Sequence, residues 1–491
     1  PEGFISSITY AQSAEDVMGG IDSESNMKRY PPVSIWRSTD ISRVLPLPSG
    51  HWLLVTDPKP FRVSFGLEHA ESVQMDEGHV AAFSPDNCIG DHSITLRRLQ
   101  ENAFPYTGLI RRLPDTPLEE RVEIDSIRSQ CTEIGRSSVL LTNGKGAMAR
   151  MAVDLGRIES KYDCLLGANL HAESPVDRHI FAKCVRAWAV ADGLITPLNI
   201  DNLMDFQPGP PARWKFLVSA GDSRAVEIEL VAEMVEGKNI TQLFFSRPDV
   251  KPEKGRALEE GKAFSLSVRI DIEDRDFHSE THLDAEAEQY FINHLSHNDC
   301  GFTFKPDENK RLKVASNEAV FHSELEWRCG VSHPLEASRG QSQEGDACSP
   351  GWFEVPLEPG CSASIQVSAE PECEGHVPYS ELMPLTQDYG SRLKRALGQF
   401  IVQRGNGRTV IAGYPWFLDW GRDTFITARG LLSAGWRKEV IEIVRTFARM
   451  ERGGTLPNSL NGDNDSNRET SDAPLWFSLV VEELGEDCLN I

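Results

Sequence analysis

The chain has 491 residues, 40% of them hydrophobic and 25% charged, the composition of a soluble globular protein with room for about three domains. Its 50 Lys and Arg against 74 Asp and Glu give a formal net charge of -24. That balance argues against nucleic acid, which needs clustered cations, and against anionic membrane surfaces; no run of about 18 apolar residues exists to span a bilayer.

From the N-terminus, positions 33–100 carry short extended runs, Val33 to Arg37, His51 to Thr56 and Phe61 to Phe65, punctuated by Pro46, Pro48, Gly50, Pro58 and Pro60. This spacing predicts small antiparallel strands joined by turns, within a β-rich domain over 1–113. Pro114 and Pro117 open a linker over 114–136 that contains a short amphipathic segment near Ile124 to Ile134.

Strands dominate from 137 to about 370. Phe264, Leu266, Val268, Ile270 and Ile272 alternate with Ser265, Ser267, Arg269 and Asp271, placing one set inward and one outward. Val226, Ile228 and Leu230 follow the same period, and Phe353, Val355 and Leu357 lead through Pro359-Gly360 to Ile365 and Val367. A β-sandwich over 137–379 is expected, with 251–263 and 333–350 as surface loops. Thr142 to Gly146 lacks the full spacing of a phosphate-binding loop and reads as a hairpin turn. His278 and His282 stand four apart, as two metal ligands on one helix face would, but no third ligand motif follows and no metal is assigned.

After Pro384 the period becomes helical. Leu393, Leu397, Phe400 and Ile401 fall at helical spacing; Val440, Ile443, Val444, Phe447 and Met450 form an apolar stripe ending at Gly453-Gly454; Leu475 to Leu484 is helical in pattern. Between the first two lies Ile411 to Ile426, which sets Tyr414, Trp416, Phe417 and Trp420 beside Asp419, Arg422 and Asp423. Burying three charges among four aromatics is costly unless they pair or line a wet cavity, so this stretch reads as the wall of an active site able to grip and protonate a sugar.

Ala412-Gly-Tyr-Pro-Trp-Phe-Leu-Asp-Trp-Gly-Arg-Asp-Thr424 resembles the signature of the amylo-α-1,6-glucosidase domain of glycogen debranching enzymes. Leu456-Pro457-Asn458 and Ser471-Asp-Ala-Pro-Leu-Trp-Phe477 resemble that family's next two motifs in order, and Leu140 to Gly146 with Lys161 to Leu166 resemble its preceding β-rich domain in bacterial and archaeal members. The resemblance implies that 380–491 begins an α/α toroid whose paired helices ring a sugar pocket. It also implies hydrolysis of α-1,6-linked glucose from glycogen or limit dextrin, by inversion and without a cofactor. Leu45 to Val55 resembles, less specifically, a β domain that follows an α-amylase-type barrel, implying a transferase domain upstream of Pro1.

Cleaving an acetal needs one carboxyl to protonate the leaving oxygen and another to activate water. The resemblance places the acid at Asp423 and the substrate contacts at Tyr414, Trp416, Phe417, Asp419, Trp420, Arg422, Asn458, Asp472 and Trp476. Alternatives stand beside these roles. Asp423 could be a helix cap, Asp419 an alternative acid or a partner of Arg422, Trp416 and Trp420 core aromatics, and Asp472 the cap of a helix near Pro474. Glu469 is a weaker candidate for the base.

A ring of twelve helices needs roughly 190 residues at about 11 per helix and about 5 per loop, whereas positions 380–491 supply about 110. The ring is therefore expected to be incomplete, with the base beyond Ile491, the chain truncated at both ends and inactive by itself. The rival expectations are a non-catalytic fragment acting as a carbohydrate-binding β domain, and another toroid hydrolase acting on oligosaccharides. Ten scattered cysteines without a C-x-x-C pair, and the lack of a secretion-signal pattern after Pro1, fit a reducing cytoplasm.

Overall fold

The computed structural model describes residues 33–41, 44–75, 78–86, 88–99, 105–113, 137–370, 389–469 and 472–485. The expected linker and the amphipathic segment near Ile124 to Ile134 lie outside them. The chain divides into two compact units, 1–118 and 119–491.

In the first unit the short runs form two sheets. One has four strands in the order Val33–Arg37, Trp52–Asp57, Gly78–Phe83, Val73–Met75; the other has five, in the order Val44–Leu47, Tyr106–Arg112, Gly90–Arg98, Phe61–Phe65, Glu68–Glu71. Trp36, Val55, Phe61, Val63, Ile94 and Ile110 fill the core between them. The strands are not all antiparallel as expected: Val33–Arg37 pairs parallel with Trp52–Asp57, and Val44–Leu47 with Tyr106–Arg112. Period and turns reveal a strand's existence, but its partner depends on contacts distant in sequence.

The second unit is built on an eight-stranded and a nine-stranded sheet. In the first, His179–Ala191 runs antiparallel to Phe264–Asp276, which pairs with Glu344–Pro356. In the second, Ala212–Ser219, Arg224–Met234, Ile240–Ser246 and Ser362–Ser368 are successive neighbours. Both sheets contribute to one apolar core, with Phe181, Val268, Ile270 and Phe353 from the first meeting Trp214, Ile228, Phe245 and Ile365 from the second. The expected surface loop at 333–350 is corrected. It holds the helical turn Pro334–Ala337 and the first half of Glu344–Pro356, whose small and polar residues conceal its extended pattern.

The alternation along Phe264–Asp276 holds, yet from Arg269 to Arg275 its polar side does not face water. Asp271, Glu273 and Arg275 are buried and pair within that layer, Arg275 also donating to Lys161 O at 2.6 Å. Arg186 grips Asp271 at 2.8 Å through both Nε and Nη2, and Arg275 lies 2.9 Å from Glu273. Glu336 accepts from Ser160 Oγ at 2.8 Å and from the Lys161 amide at 2.9 Å. Burying a carboxylate is costly without such partners.

Beyond the sheets lie the helices Tyr389–Gly398, Gly421–Ser433, Arg437–Ala448 and Ala473–Leu484. The stripe Val440, Ile443, Val444, Phe447 is buried as its spacing predicts, against Phe425, Leu431 and Val480. Phe400 and Ile401 correct the first helical reading. The helix stops at Gly398, and Ile401–Arg404 pairs with Gly407–Val410 in a hairpin, its β-branched residues favouring extension. A second apolar cluster joins sheet to hairpin: Met148, Tyr162, Cys164, Ile180 and Phe277 pack with Val402, Ile411 and Tyr414.

Candidate active site

The stretch after the hairpin closes on itself. Ile411 bridges Asp419, the Ala412 amide donates to Leu418 O at 2.8 Å, and the Phe417 amide donates to Gly413 O at 2.8 Å. Trp420 then pairs with Ser459, and the Gly421 amide donates to Asn458 O at 2.9 Å as the helix Gly421–Ser433 begins. A Cβ on Gly421 would stand 2.3 Å from Pro457 O and 3.2 Å from Ala473 Cβ. All three motifs singled out in the sequence meet at this one residue, and only glycine permits the approach.

Around that junction Arg422 lies between two carboxylates, with Nη2 3.5 Å from Asp423 Oδ2 and Nη1 3.9 Å from Asp472 Oδ2. All three side chains are partly open to solvent. Asp423 stands in the first turn, where carboxylates are favoured by the helix dipole. Asp472 is the N-cap residue of Ala473–Leu484, and Pro474 occupies the first turn; the carboxylate makes no cap bond to the backbone. Its carbonyl accepts from the Trp476 amide at 3.0 Å.

The four aromatics separate into two pairs. Phe417 is 49% exposed and meets the half-buried Trp420 edge to face, with ring centroids 6.0 Å apart. Trp416 is half-buried, 6.5 Å from the Tyr162 ring and beneath the Arg339 guanidinium at 5.1 Å. Tyr414 belongs to the apolar cluster, under the Arg178 guanidinium at 4.5 Å, and burial pushes its phenol up to about 12.

Tyr414 and Asp419, both expected on the sugar-facing surface, are therefore turned into the protein. Asp419 does not pair with Arg422. It is fully buried against Arg404, which grips it at 2.7 and 3.0 Å and also donates to Gly462 O at 2.6 Å. Burial raises the Asp419 carboxyl above its usual range, and Arg404 opposes part of that rise. Asn458 contributes through its backbone, donating to Asn467 O at 2.7 Å in addition to holding Gly421. Trp476 is half-buried against the helical core, with Arg429 5.9 Å from its ring. Glu469 is exposed on the preceding loop. His278 and His282 lie outside any helix, and among the described residues no group of His, Cys, Asp and Glu could hold a metal.

Arg178, Arg404 and Gly421 were not anticipated. Arg404 sits in the hairpin that read as a helix end. Arg178 had no local signal, since the two carbonyls of the site loop that it holds lie more than two hundred residues away.

Three motifs are thus joined at Gly421 beside two carboxylates bridged by Arg422 and an exposed aromatic corner. Residues 138–364 match the N-terminal domain of glycogen debranching enzyme, and residues 395–488 match the amylo-alpha-1,6-glucosidase domain. Together these matches span more than half of the chain, which belongs to the glycogen debranching enzyme family.

Among curated proteins no sequence matches. Among solved structures, a bacterial glucoamylase complexed with acarbose is similar over 71% of this chain, at 11% identity and a TM-score of 0.34. This chain covers 57% of the glucoamylase's length. A polysaccharide lyase is similar over 48% of this chain and 33% of its own, at 14% identity and a TM-score of 0.22. At these TM-scores neither superposition defines the fold.

Proposed function

We propose that this chain forms part of an inverting glycoside hydrolase that removes α-1,6-linked glucose from branched α-glucans such as glycogen or limit dextrin, with Asp423 as the general acid. The reading rests on one observation above all, the placement of Arg422 between Asp423 and Asp472 where the three motifs meet. Asp423 donates its proton to the leaving glycosidic oxygen. Asp472 and Arg422 bind sugar hydroxyls, and Phe417 and Trp420 stack against a glucose ring through apolar C-H faces. The helices from Tyr389 onward are read as the beginning of an α/α toroid, and no base is assigned.

The deciding experiment measures glucose release from a branched limit dextrin and from linear maltotriose, together with binding of both. Release from the branched substrate that disappears in Asp423→Asn supports the proposal. Binding without release by the whole enzyme to which this chain contributes favours the carbohydrate-binding reading, and no binding of either glucan refutes both.

A further inference from the structure

Arg178 immediately precedes the strand His179–Ala191 and is completely buried. Among the described residues no carboxylate forms an ion pair with it. Its donors go to backbone carbonyls instead: Nε to Gly146 O at 2.9 Å, Nη1 to Pro415 O at 3.0 Å and Nη2 to Phe417 O at 3.4 Å. Its flat face covers the Tyr414 ring at 4.5 Å, and the Phe277 ring lies 5.8 Å away.

A buried cation with no carboxylate within ion-pair distance among the described residues is an expensive way to fill space, and an apolar side chain of similar volume would cost less. What the guanidinium adds is geometry. A rigid planar fork can hold two carbonyls two residues apart while its Nε reaches a third, which an ammonium on a flexible stem cannot do. The third carbonyl belongs to the turn at 143–147, and that turn is itself fixed. Asn143 Oδ1 accepts from the Lys145 and Ala147 amides at 2.9 and 3.1 Å, and Gly144 O accepts from the Gln403 amide at 2.8 Å. The stretch just before Arg178 is tied down too, with Ser174 Oγ donating to Asp463 Oδ1 at 3.1 Å and the Gly462 amide to Pro175 O at 3.0 Å.

We infer that Arg178 is a positioning residue: by drawing the carbonyls of Pro415 and Phe417 inward, it sets the conformation of the 412–418 loop and turns the Phe417 ring outward. On the proposal that Phe417 and Trp420 receive a glucose ring, from which this inference takes its functional meaning, the sheet region acts directly on substrate affinity without touching substrate. The half-exposed Phe417 ring opposite its pinned carbonyl is the structural sign of that action.

The test uses the whole chain with Arg178→Lys, which keeps the charge but cannot reach both carbonyls, and Arg178→Gln as a second variant. Hydrogen exchange at the Ala412 and Phe417 amides should accelerate at least tenfold in Arg178→Lys, with amides of Phe264–Asp276 unchanged. Affinity for a branched gluco-oligosaccharide should fall about tenfold, and Phe417→Ala combined with Arg178→Lys should bind no more weakly than Phe417→Ala alone. Accelerated exchange in a chain that binds no α-glucan would uphold the positioning role and refute the proposed substrate. Unchanged exchange at both amides overturns the inference, as does a loss of affinity that adds to that of Phe417→Ala. If Arg178→Lys does not fold, the same exchange comparison is made on Arg178→Gln, and uniform acceleration throughout the unit counts against a positioning role.

Discussion

Arg404 and Asp419 form a two-point ion pair, Nε to Oδ2 at 2.7 Å and Nη2 to Oδ1 at 3.0 Å, with both side chains out of solvent. The pair joins the hairpin to the loop that carries the site, and through Gly462 O it reaches the loop after Asn458. Removing one partner strands the other charge. Asp419→Asn should therefore cost about 3–5 kcal/mol in urea unfolding, while Arg404→Met with Asp419→Leu should recover much of that loss. Equal stability of Asp419→Asn and wild type would contradict the burial of this pair.

Asp423→Asn keeps the shape of the side chain but removes its proton. Glucose release from branched dextrin by the active enzyme should fall about a hundredfold to ten-thousandfold, with affinity for the substrate retained. Unchanged turnover would move the acid elsewhere.

The two aromatic pairs should respond differently to truncation. Phe417→Ala should weaken oligosaccharide binding with little change in unfolding midpoint, because its ring is half-exposed. Trp416→Ala should instead lower stability by about 2 kcal/mol, less than a fully buried Trp, through its lost contacts with Tyr162 and Arg339. Calorimetry of both variants, free and with oligosaccharide, separates the effects, and the reverse pattern would exchange the two roles.

Gly421→Ala would ordinarily favour a helix by up to about 1 kcal/mol. Here the added methyl would meet Pro457 O at 2.3 Å, so destabilisation of about 1–3 kcal/mol is expected, with weakened glucan binding. A more stable variant would show that the three motifs do not pack as described.

His333 is buried, and burial together with the nearby cations Lys183, Arg275 and Lys161 pushes its imidazole down to about 3. An unfolded chain takes up this proton near pH 6.5, so between these values the unfolded state binds more protons than the folded one. The stability conferred by a neutral His333 is thus complete above about pH 6.5 and is lost as pH falls toward 3. His333→Gln should flatten the acid limb of the stability curve, and a slope identical to wild type would mean that His333 titrates normally in the fold.

Much of this architecture was legible in sequence because it depends on local period. The stripe from Val440 to Phe447 and the alternation from Phe264 to Ile272 both bury the residues their spacing selects. What escaped depends on contacts distant along the chain. Asp419 has a nearer candidate cation in Arg422, yet the hairpin brings Arg404 to it; Tyr414 looks like a sugar contact until Arg178 covers its ring. The polar side of Phe264–Asp276 read as solvent-facing because alternation reports which residues share a face, not what lies against that face.

The apolar cluster of Met148, Ile180 and Phe277 with Val402, Ile411 and Tyr414 has a practical corollary for anyone dissecting this protein. The gap between the two family matches invites a cut between 364 and 395, yet the two pieces so produced would each carry half of a dry interface. Expressed alone, the C-terminal piece would bring the 412–418 loop, which leads to Asp423, to water without the surface that shapes it. Loss of binding in such a piece would then report damage to the loop's support, so mapping function by deletion would mislead where single substitutions would not.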